Sequence, residues 1–250
     1  MSNSALVSYT KISPNRNSPR NHAIDRISIH CVVGQCTVER IGEIFAPESR
    51  EASSNYGIGL DGRIGMYVEE KDRSWCTSSG ANDHRAVTIE VASDTAHPYA
   101  VKAAAFSALL DLCTDICKRN GKKRLLWFGD KEKTLAYTPK ADEMVLTVHR
   151  WFANKACPGE YLYSRHGEIA AEVTKRLAEA GKPTAPAGTG DNPSAWAKTA
   201  TEYCKRKGIF TGDGAGNFDW QKPITREQVA SVLYRTLERA GLLEALPDKK

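Results

Sequence analysis

The segment His149-Arg150-Trp151-Phe152-Ala153-Asn154-Lys155-Ala156-Cys157-Pro158-Gly159 constrains this chain more than any other stretch. It sets a histidine and a cysteine close together behind a hydrophobic, strand-like run, Met144 to Val148. Far upstream, His30 ends the alternating run Arg26-Ile27-Ser28-Ile29, a second strand pattern. Read together, the three positions supply two imidazoles and one thiolate. Three protein ligands leave tetrahedral zinc one open position, which separates a catalytic site from a closed structural one. The competing reading of the same residues is a buried thiol and a hydrogen-bonded core imidazole.

Strands and helices alternate along the rest of the chain. Arg26 to Val33 alternates as a strand, and Thr37 is placed to cap a helix over Val38 to Phe45. Tyr56 to Leu60 and Arg63 to Val68 face each other across Asp61-Gly62, a hairpin signal. Ala86 to Val91 reads as a central strand, and Tyr99 to Asn120 as a long helix stopped by Gly121. A short strand, Arg124 to Phe128, and a helix from Ser164 to Ala180 complete the pattern. The expected class is α/β, with a mixed central sheet flanked by helices and a small helical C-terminal module.

The residues around the three ligand candidates resemble the zinc-dependent N-acetylmuramoyl-L-alanine amidases of the phage lysozyme and peptidoglycan-recognition type, in the form carried by endolysins of phages of Gram-positive bacteria. The resemblance runs from Ile12-Ser13-Pro14-Asn15 and Asn21-His22 through Ile27-Ser28-Ile29-His30 and Ala52-Ser53-Ser54-Asn55-Tyr56-Gly57-Ile58-Gly59. It continues through Ala86-Val87-Thr88-Ile89-Glu90-Val91 and closes on Val148-His149-Arg150 and Lys155-Ala156-Cys157-Pro158-Gly159. It implies a peptidoglycan hydrolase that cuts the amide between N-acetylmuramic acid and L-alanine. Zinc would be the cofactor, with His30, His149 and Cys157 as ligands, and peptidoglycan the partner.

Such an enzyme must activate water against a poor electrophile, and zinc both polarises the carbonyl and lowers the pKa of bound water toward ~7. Tyr56 and Lys155 occupy the family's positions for polar groups beside the metal. Donors there would stabilise the developing oxyanion, an effect worth roughly 3 to 4 kcal/mol each. Glu90 ends an apolar alternation, which turns it away from Val87, Ile89 and Val91, and the resemblance makes it a candidate for orienting or deprotonating water. His84 and Trp75, around the loop Trp75-Cys76-Thr77-Ser78-Ser79, are candidates for the substrate groove. His22, His97 and His166 lie in polar or turn-like contexts and read as surface residues. The rival function is a non-catalytic peptidoglycan-recognition protein on the same fold, which Cys157 and Lys155 disfavour.

A net charge of +5 without a Lys/Arg block interleaved with aromatics gives little support to nucleic-acid binding. No apolar run is long enough for a membrane span, and the opening residues lack the order of a secretory signal. A wall hydrolase without such a signal is expected to wait in the host cytoplasm until lysis and then act on the wall. Six cysteines besides Cys157 read as free thiols in a reducing compartment.

Beyond the expected catalytic domain, residues 1–180, the stretch 181–193 is rich in Pro, Gly and small residues, the signature of a linker. Residues 194–250 read as two helices around a glycine loop, Ala195 to Lys207 and a second that starts at Thr225-Arg226-Glu227-Gln228. Val229, Val232, Leu233 and Leu237 form its apolar face. The loop fails as a calcium site, since Phe218 replaces the needed glycine and no terminal glutamate follows. The module resembles one S-layer homology repeat through Trp196-Ala197, Gly208-Ile209-Phe210, Gly212-Asp213-Gly214, Asn217-Phe218 and Pro223-Ile224-Thr225-Arg226-Glu227. That implies binding of acidic wall polysaccharide, with Arg226 as the contact, or self-association into a dimer or trimer that supplies the missing copies.

Overall fold

A computed structural model describes residues 2–181, 192–213 and 216–243. Nearly all of the stretch expected as a linker, 182–191, lies outside them, as do Gly214 and the chain beyond residue 243. The chain divides into two compact units, Met1–Gly181 and Lys182–Lys250.

The first unit is a mixed α/β layer structure. Its strands are β1 (Val7–Thr10), β2 (Arg16–Asn17), β3 (Arg26–Val33), β4 (Tyr56–Ile58), β5 (Ile64–Met66), β6 (Arg73–Ser74), β7 (Ala86–Ser93), β8 (Arg124–Leu126) and β9 (Glu143–Thr147). Its helices are α1 (Val38–Phe45), α2 (Gly80–Asp83), α3 (Ala103–Arg119), α4 (Lys131–Ala136), α5 (Gly159–Tyr163) and α6 (His166–Gly181). Seven strands form one sheet in the order β1-β5-β4-β7-β3-β9-β8, and β2 pairs with β6 in a small second ladder. The run β4-β7-β3-β9-β8 is parallel, whereas β5 turns back antiparallel on β4 across the Asp61-Gly62 turn.

Strand alternation divides the side chains between the two faces of this sheet. Ile27, Ile29, Tyr56, Ile58, Val87, Ile89 and Val91 join Leu109, Leu112 and Ile116 of α3 and Ile169 and Val173 of α6 in the main core. The opposite face carries a smaller cluster, Ile41 and Phe45 of α1 with Tyr67. There Gly57 and Gly65 stand opposite each other in the β4–β5 ladder and make room for the Tyr67 ring. A Cβ built on Gly57 would stand 2.7 Å from Tyr67 Cε2, and the Tyr67 hydroxyl donates to Val38 O at 2.7 Å.

Helix α1 forms over the expected residues, with the Thr37 side chain accepting from Arg40 N. The long helix begins at Ala103 rather than Tyr99, because Tyr99 has φ +61° and its N–H is turned back to Ala96 O. The sequence reading missed β1, α2 and α4, the last capped by Asp130 accepting from Lys133 N at 2.7 Å. These elements are too short to carry a visible period.

In the second unit a 3-10 turn, Ala195–Ala197, leads into α7 (Lys198–Arg206), and α8 (Arg226–Arg239) follows the loop. Thr225 and Gln228 form the expected capping box, Gln228 N donating to Thr225 Oγ1 at 3.2 Å and Thr225 N to Gln228 Oε1 at 2.8 Å. Phe218 stacks on Trp220 at 5.1 Å and Phe210 tilts against the same ring. On α8, Val232 and Leu237 are half-buried, while Val229 and Leu233 of the same expected face are exposed. Trp196 is 89% exposed. Among the described residues no helix is long and apolar enough to cross a membrane.

His166 corrects the sequence reading, which put it at the surface. It is fully buried at the start of α6, with Nδ1 on Leu162 O at 2.7 Å and its ring 4.6 Å from Trp127. Trp127 in turn stacks on Trp151 at 5.0 Å. Burial lowers the His166 pKa from 6.5 to about 4, against the weaker opposing pull of the Leu162 carbonyl. A folded-state pKa below the unfolded one means the unfolded chain binds the extra proton first. The stabilisation is therefore complete above pH 6.5 and is lost as pH falls toward 4, by about 3 kcal/mol for this one group. Urea unfolding of wild type and His166→Gln between these pH values should show a steep loss for the first and a shallower one for the second. Parallel pH curves would assign the acid sensitivity elsewhere.

Candidate metal centre

Four strands bring the site together through their register. In the β3–β7 ladder His30 stands opposite Glu90, and in the β4–β7 ladder Glu90 stands opposite Gly57. The β3–β9 ladder pairs Ser28 with Thr147, and the same offset carries His149, two residues on, to the level of His30. One row across the parallel strands therefore reads Gly57, Glu90, His30 and, just past the end of β9, His149. It lies on the sheet face opposite the main core, since Ile29 and Ile89 beside it point into that core.

The ligand atoms of His30, His149 and Cys157 lie within 4.8 Å of one another. Cys157 Sγ is 3.3 Å from His30 Nδ1, and the two imidazole rings are 5.2 Å apart, tilted by 53°. The second nitrogen of His30 meets Ser28 Oγ at 3.2 Å, and His149 Nε2 meets Ser78 Oγ at 3.1 Å. Each ring is thus oriented by a hydroxyl, as a metal-ligating imidazole is by its outer partner. The loop that carries the third donor is pinned by Arg150, whose N–H donates to Cys157 O at 3.1 Å and whose guanidinium donates to Ala156 O at 2.9 Å. The same guanidinium lies 4.1 Å over the Tyr163 ring.

Burial keeps both imidazoles uncharged. Burial, then the neighbouring charges of His149 and His166, hold the His30 pKa well below its ordinary value. Burial and the Lys155 ammonium lower that of His149. Both rings are therefore neutral, the form that binds metal. A shared hydrogen bond with the Cys31 thiol, and then burial, push the Cys157 thiol up. A thiol in that setting ionises beside a cation.

Glu90 is half-buried beside His30, and desolvation pushes its pKa up to about 8. Its Oε1 accepts from Cys76 Sγ at 3.8 Å, while its Oε2 is buried with no hydrogen-bond partner. His30, Cys76 and Glu90 form a second group whose donor atoms lie within 4.8 Å of one another. The sequence reading named neither Cys76 nor Ser28 nor Ser78 as site residues. Only Ser28 carried a signal, as the alternate residue two before His30 on the same face.

Tyr56 is a correction. It was expected beside the metal, yet it belongs to the face of Ile29 and Ile89, because Gly57 and not Tyr56 shares the row of Glu90. Its ring is fully buried in the main core. Its hydroxyl donates to Glu70 Oε1 at 2.7 Å and accepts from Ser4 N at 3.0 Å. Glu70 in turn accepts both guanidinium ends of Arg119, at 2.6 and 2.9 Å. Lys155 is exposed on the Cys157 loop, near enough to lower the His149 pKa.

Trp75 donates from Nε1 to Asn17 Oδ1 at 2.7 Å, and His84 accepts from Asn21 N at 3.0 Å through Nδ1. Neither lines the cavity of about 570 Å³ that opens beside Ser78. That cavity is walled by Trp151 and Phe152 and carries Arg26, Arg85 and Lys131, with no carboxylate among its lining side chains. In the second unit a cavity of about 680 Å³ is lined by Phe218, Trp220, Lys222 and Arg235, and Arg226 stands outside it at the first turn of α8.

The chain is similar to the endolysin N-acetylmuramoyl-L-alanine amidase of Clostridium intestinale, at 18% identity over 67% of this chain and 92% of that one, with a TM-score of 0.45. An AmpD derivative gives 17% identity over 67% of this chain and 96% of that one, with a TM-score of 0.48. The Ph2119 endolysin from a Thermus scotoductus bacteriophage gives 16% over 63% and 89%, with a TM-score of 0.41. No curated protein matches the sequence. Residues 191–230 match the S-layer homology domain. Residues 10–160 match the N-acetylmuramoyl-L-alanine amidase family, so this chain belongs to the amidases of peptidoglycan.

Proposed function

We propose that the chain is a zinc-dependent amidase of the endolysin type, with His30, His149 and Cys157 as the ligands. One observation carries this reading: two neutral imidazoles and a thiol converge within 4.8 Å, with the unpartnered Oε2 of Glu90 alongside. Two nitrogens and one sulfur suit zinc and leave a position open. When bound, zinc supplies Lewis acidity toward the scissile carbonyl.

The chain's own residues then divide the proton and charge transfers. Glu90 takes a proton from the attacking water as oxygen bonds to the lactyl carbon. It returns that proton to the alanine nitrogen as the C–N bond breaks. The Lys155 ammonium stabilises the oxyanion that develops between the two steps. The basic cavity beside Ser78 is compatible with the peptide side of the substrate, which carries carboxylates where the N-acetylated sugar side is neutral. The C-terminal unit binds acidic wall polysaccharide through Arg226, or joins chains through the exposed Val229 and Leu233. Several weak sites on one oligomer would act together on a wall. The enzyme is assigned to a phage, waiting in the host cytoplasm and acting on the wall at lysis.

The purified protein should hold about one zinc per chain, lose wall lysis on chelation and regain it with zinc. Cys157→Ser should lower both zinc content and lysis, and full lysis by a zinc-free variant would sink the ligand assignment. Mass spectrometry of the digest should find free lactyl ends on muramic acid and intact stem peptides.

Lys155→Ala and Glu90→Gln should retain zinc while turnover falls on the order of a hundredfold. Tyr56→Phe should instead leave turnover near wild type and cost about 1 kcal/mol of stability, as expected for a core hydroxyl that loses its partner. A large turnover loss in Tyr56→Phe would contradict its placement away from the metal.

For the C-terminal unit, a fluorescent fusion of residues 194–250 should label host walls, and Arg226→Ala should abolish the labelling. The full chain should sediment as a dimer or trimer. A chain ending at Gly181 should be monomeric and still cleave soluble muropeptide. A full chain that is monomeric and fails to bind walls would overturn this account of the C-terminus alone.

A further inference from the structure

Glu90 has two carboxylate oxygens in unlike settings. Oε2 is buried with no partner, Oε1 is met by Cys76 Sγ at 3.8 Å, and a carboxylate oxygen lies within 4.8 Å of a His30 ring nitrogen. Among the described residues no other side-chain hydrogen bond reaches this carboxylate. Its orientation therefore depends on one donor.

That donor is held firmly. Cys76 is buried in the loop that follows β6, and its N–H donates to Asp83 Oδ2 at 3.1 Å. Thr77 adds a backbone bond to each Asp83 oxygen at 3.2 Å and a hydroxyl bond to Oδ1 at 2.6 Å. On the other side of Cys76, Ser74 Oγ is 2.7 Å from Thr88 Oγ1, two residues before Glu90 on β7. The thiol is thus fixed from both flanks against the strand that carries the carboxylate. An ordinary thiol keeps its proton at neutral pH, so in this position it is a donor to the carboxylate.

We propose that Cys76 is a positioning residue, whose S–H holds Oε1 of Glu90 so that Oε2 faces the attacking water. The proposal rests on the reading of Glu90 as the proton-transfer group. Cys76 touches neither substrate nor reacting atoms and acts through Glu90 alone. Its proximity to His30 would equally suit a metal ligand, and the two roles differ in what its replacement removes. A ligand's loss empties the centre, whereas a positioner's loss leaves the metal in place and slows the step.

The test uses the full zinc-loaded chain with Cys76→Val, Cys76→Ser and Glu90→Gln, alone and combined. Valine fills the space without a donor, and serine restores a donor. Cys76→Val should lower kcat about tenfold with KM little changed, the effect of one lost orienting hydrogen bond, and Cys76→Ser should recover most of it. In the Glu90→Gln background Cys76→Val should cost nothing further. Zinc content should stay equal to wild type in every variant. The infrared S–H band of Cys76 should move on Glu90→Gln, which reports the contact without reference to turnover. Full kcat in Cys76→Val, an undiminished loss in the Glu90→Gln background, an unmoved S–H band or a loss of zinc would each overturn the proposal. Unchanged turnover in Glu90→Gln alone would instead strike the reading on which it rests.

Discussion

Parallel pairing of β3 with β7 on one side and β9 on the other is the constraint on which everything at the candidate metal centre depends. In-register parallel strands set residues of equal height on the same face. His30 therefore meets Glu90 directly, and the continuation of β9 brings His149 to the same level. A shift of one residue in either ladder would send one of these side chains into the opposite core. The main core makes such a slip costly, since Ile27, Ile29, Val87 and Ile89 would be turned out of it. Hydrophobic packing on one face thus sets the geometry of polar groups on the other.

The third donor reaches the row by different means. Cys157 lies on a loop, and loops hold position only when their backbone groups are engaged. Arg150 provides that engagement twice, through its own N–H and through its guanidinium, and its position directly after His149 ties two candidate ligands into one unit. The Trp151–Trp127 stack and the buried His166 brace the same segment from behind. A centre built in this way is rigid at the strands and clamped at the loop, as preorganised catalysis requires.

Buried polar groups outside the centre serve the frame. The Tyr56 hydroxyl, Glu70 and Arg119 form a chain that ties β4 to α3. Arg20, also buried, spends its guanidinium on the carbonyls of Glu70, Asp72, His84 and Ala86 and so fastens the segments around β6, α2 and β7. Oε2 of Glu90 is one of eight buried side-chain polar atoms without a partner among the described residues, and it belongs to a residue beside the candidate metal centre. An oxygen of this kind is costly in a frame and useful in a site. The C-terminal unit is built on another plan, with much of its apolar surface at Trp196, Leu233 and Tyr234 exposed.

Local chemistry was legible in the chain: the strand pattern ending at His30, the Thr37 and Thr225 caps, the hairpin at Asp61-Gly62 and the donor types themselves all follow from neighbouring residues. Alternation also showed that Glu90 and Ile89 must point to opposite sides. What alternation does not contain is which side faces the core, because that depends on the strand's partners. Tyr56 was read as a site residue from the family resemblance, and only the pairing of Gly57 with Glu90 turned it into the frame. Cys76, Ser78 and the burial of His166 were equally hidden, since each depends on a contact between segments distant in sequence. The sequence by itself determined which atoms could bind a metal and where the longer strands and helices would form. The tertiary structure alone decided which of those atoms meet, because register and burial are properties of paired strands and not of any one of them.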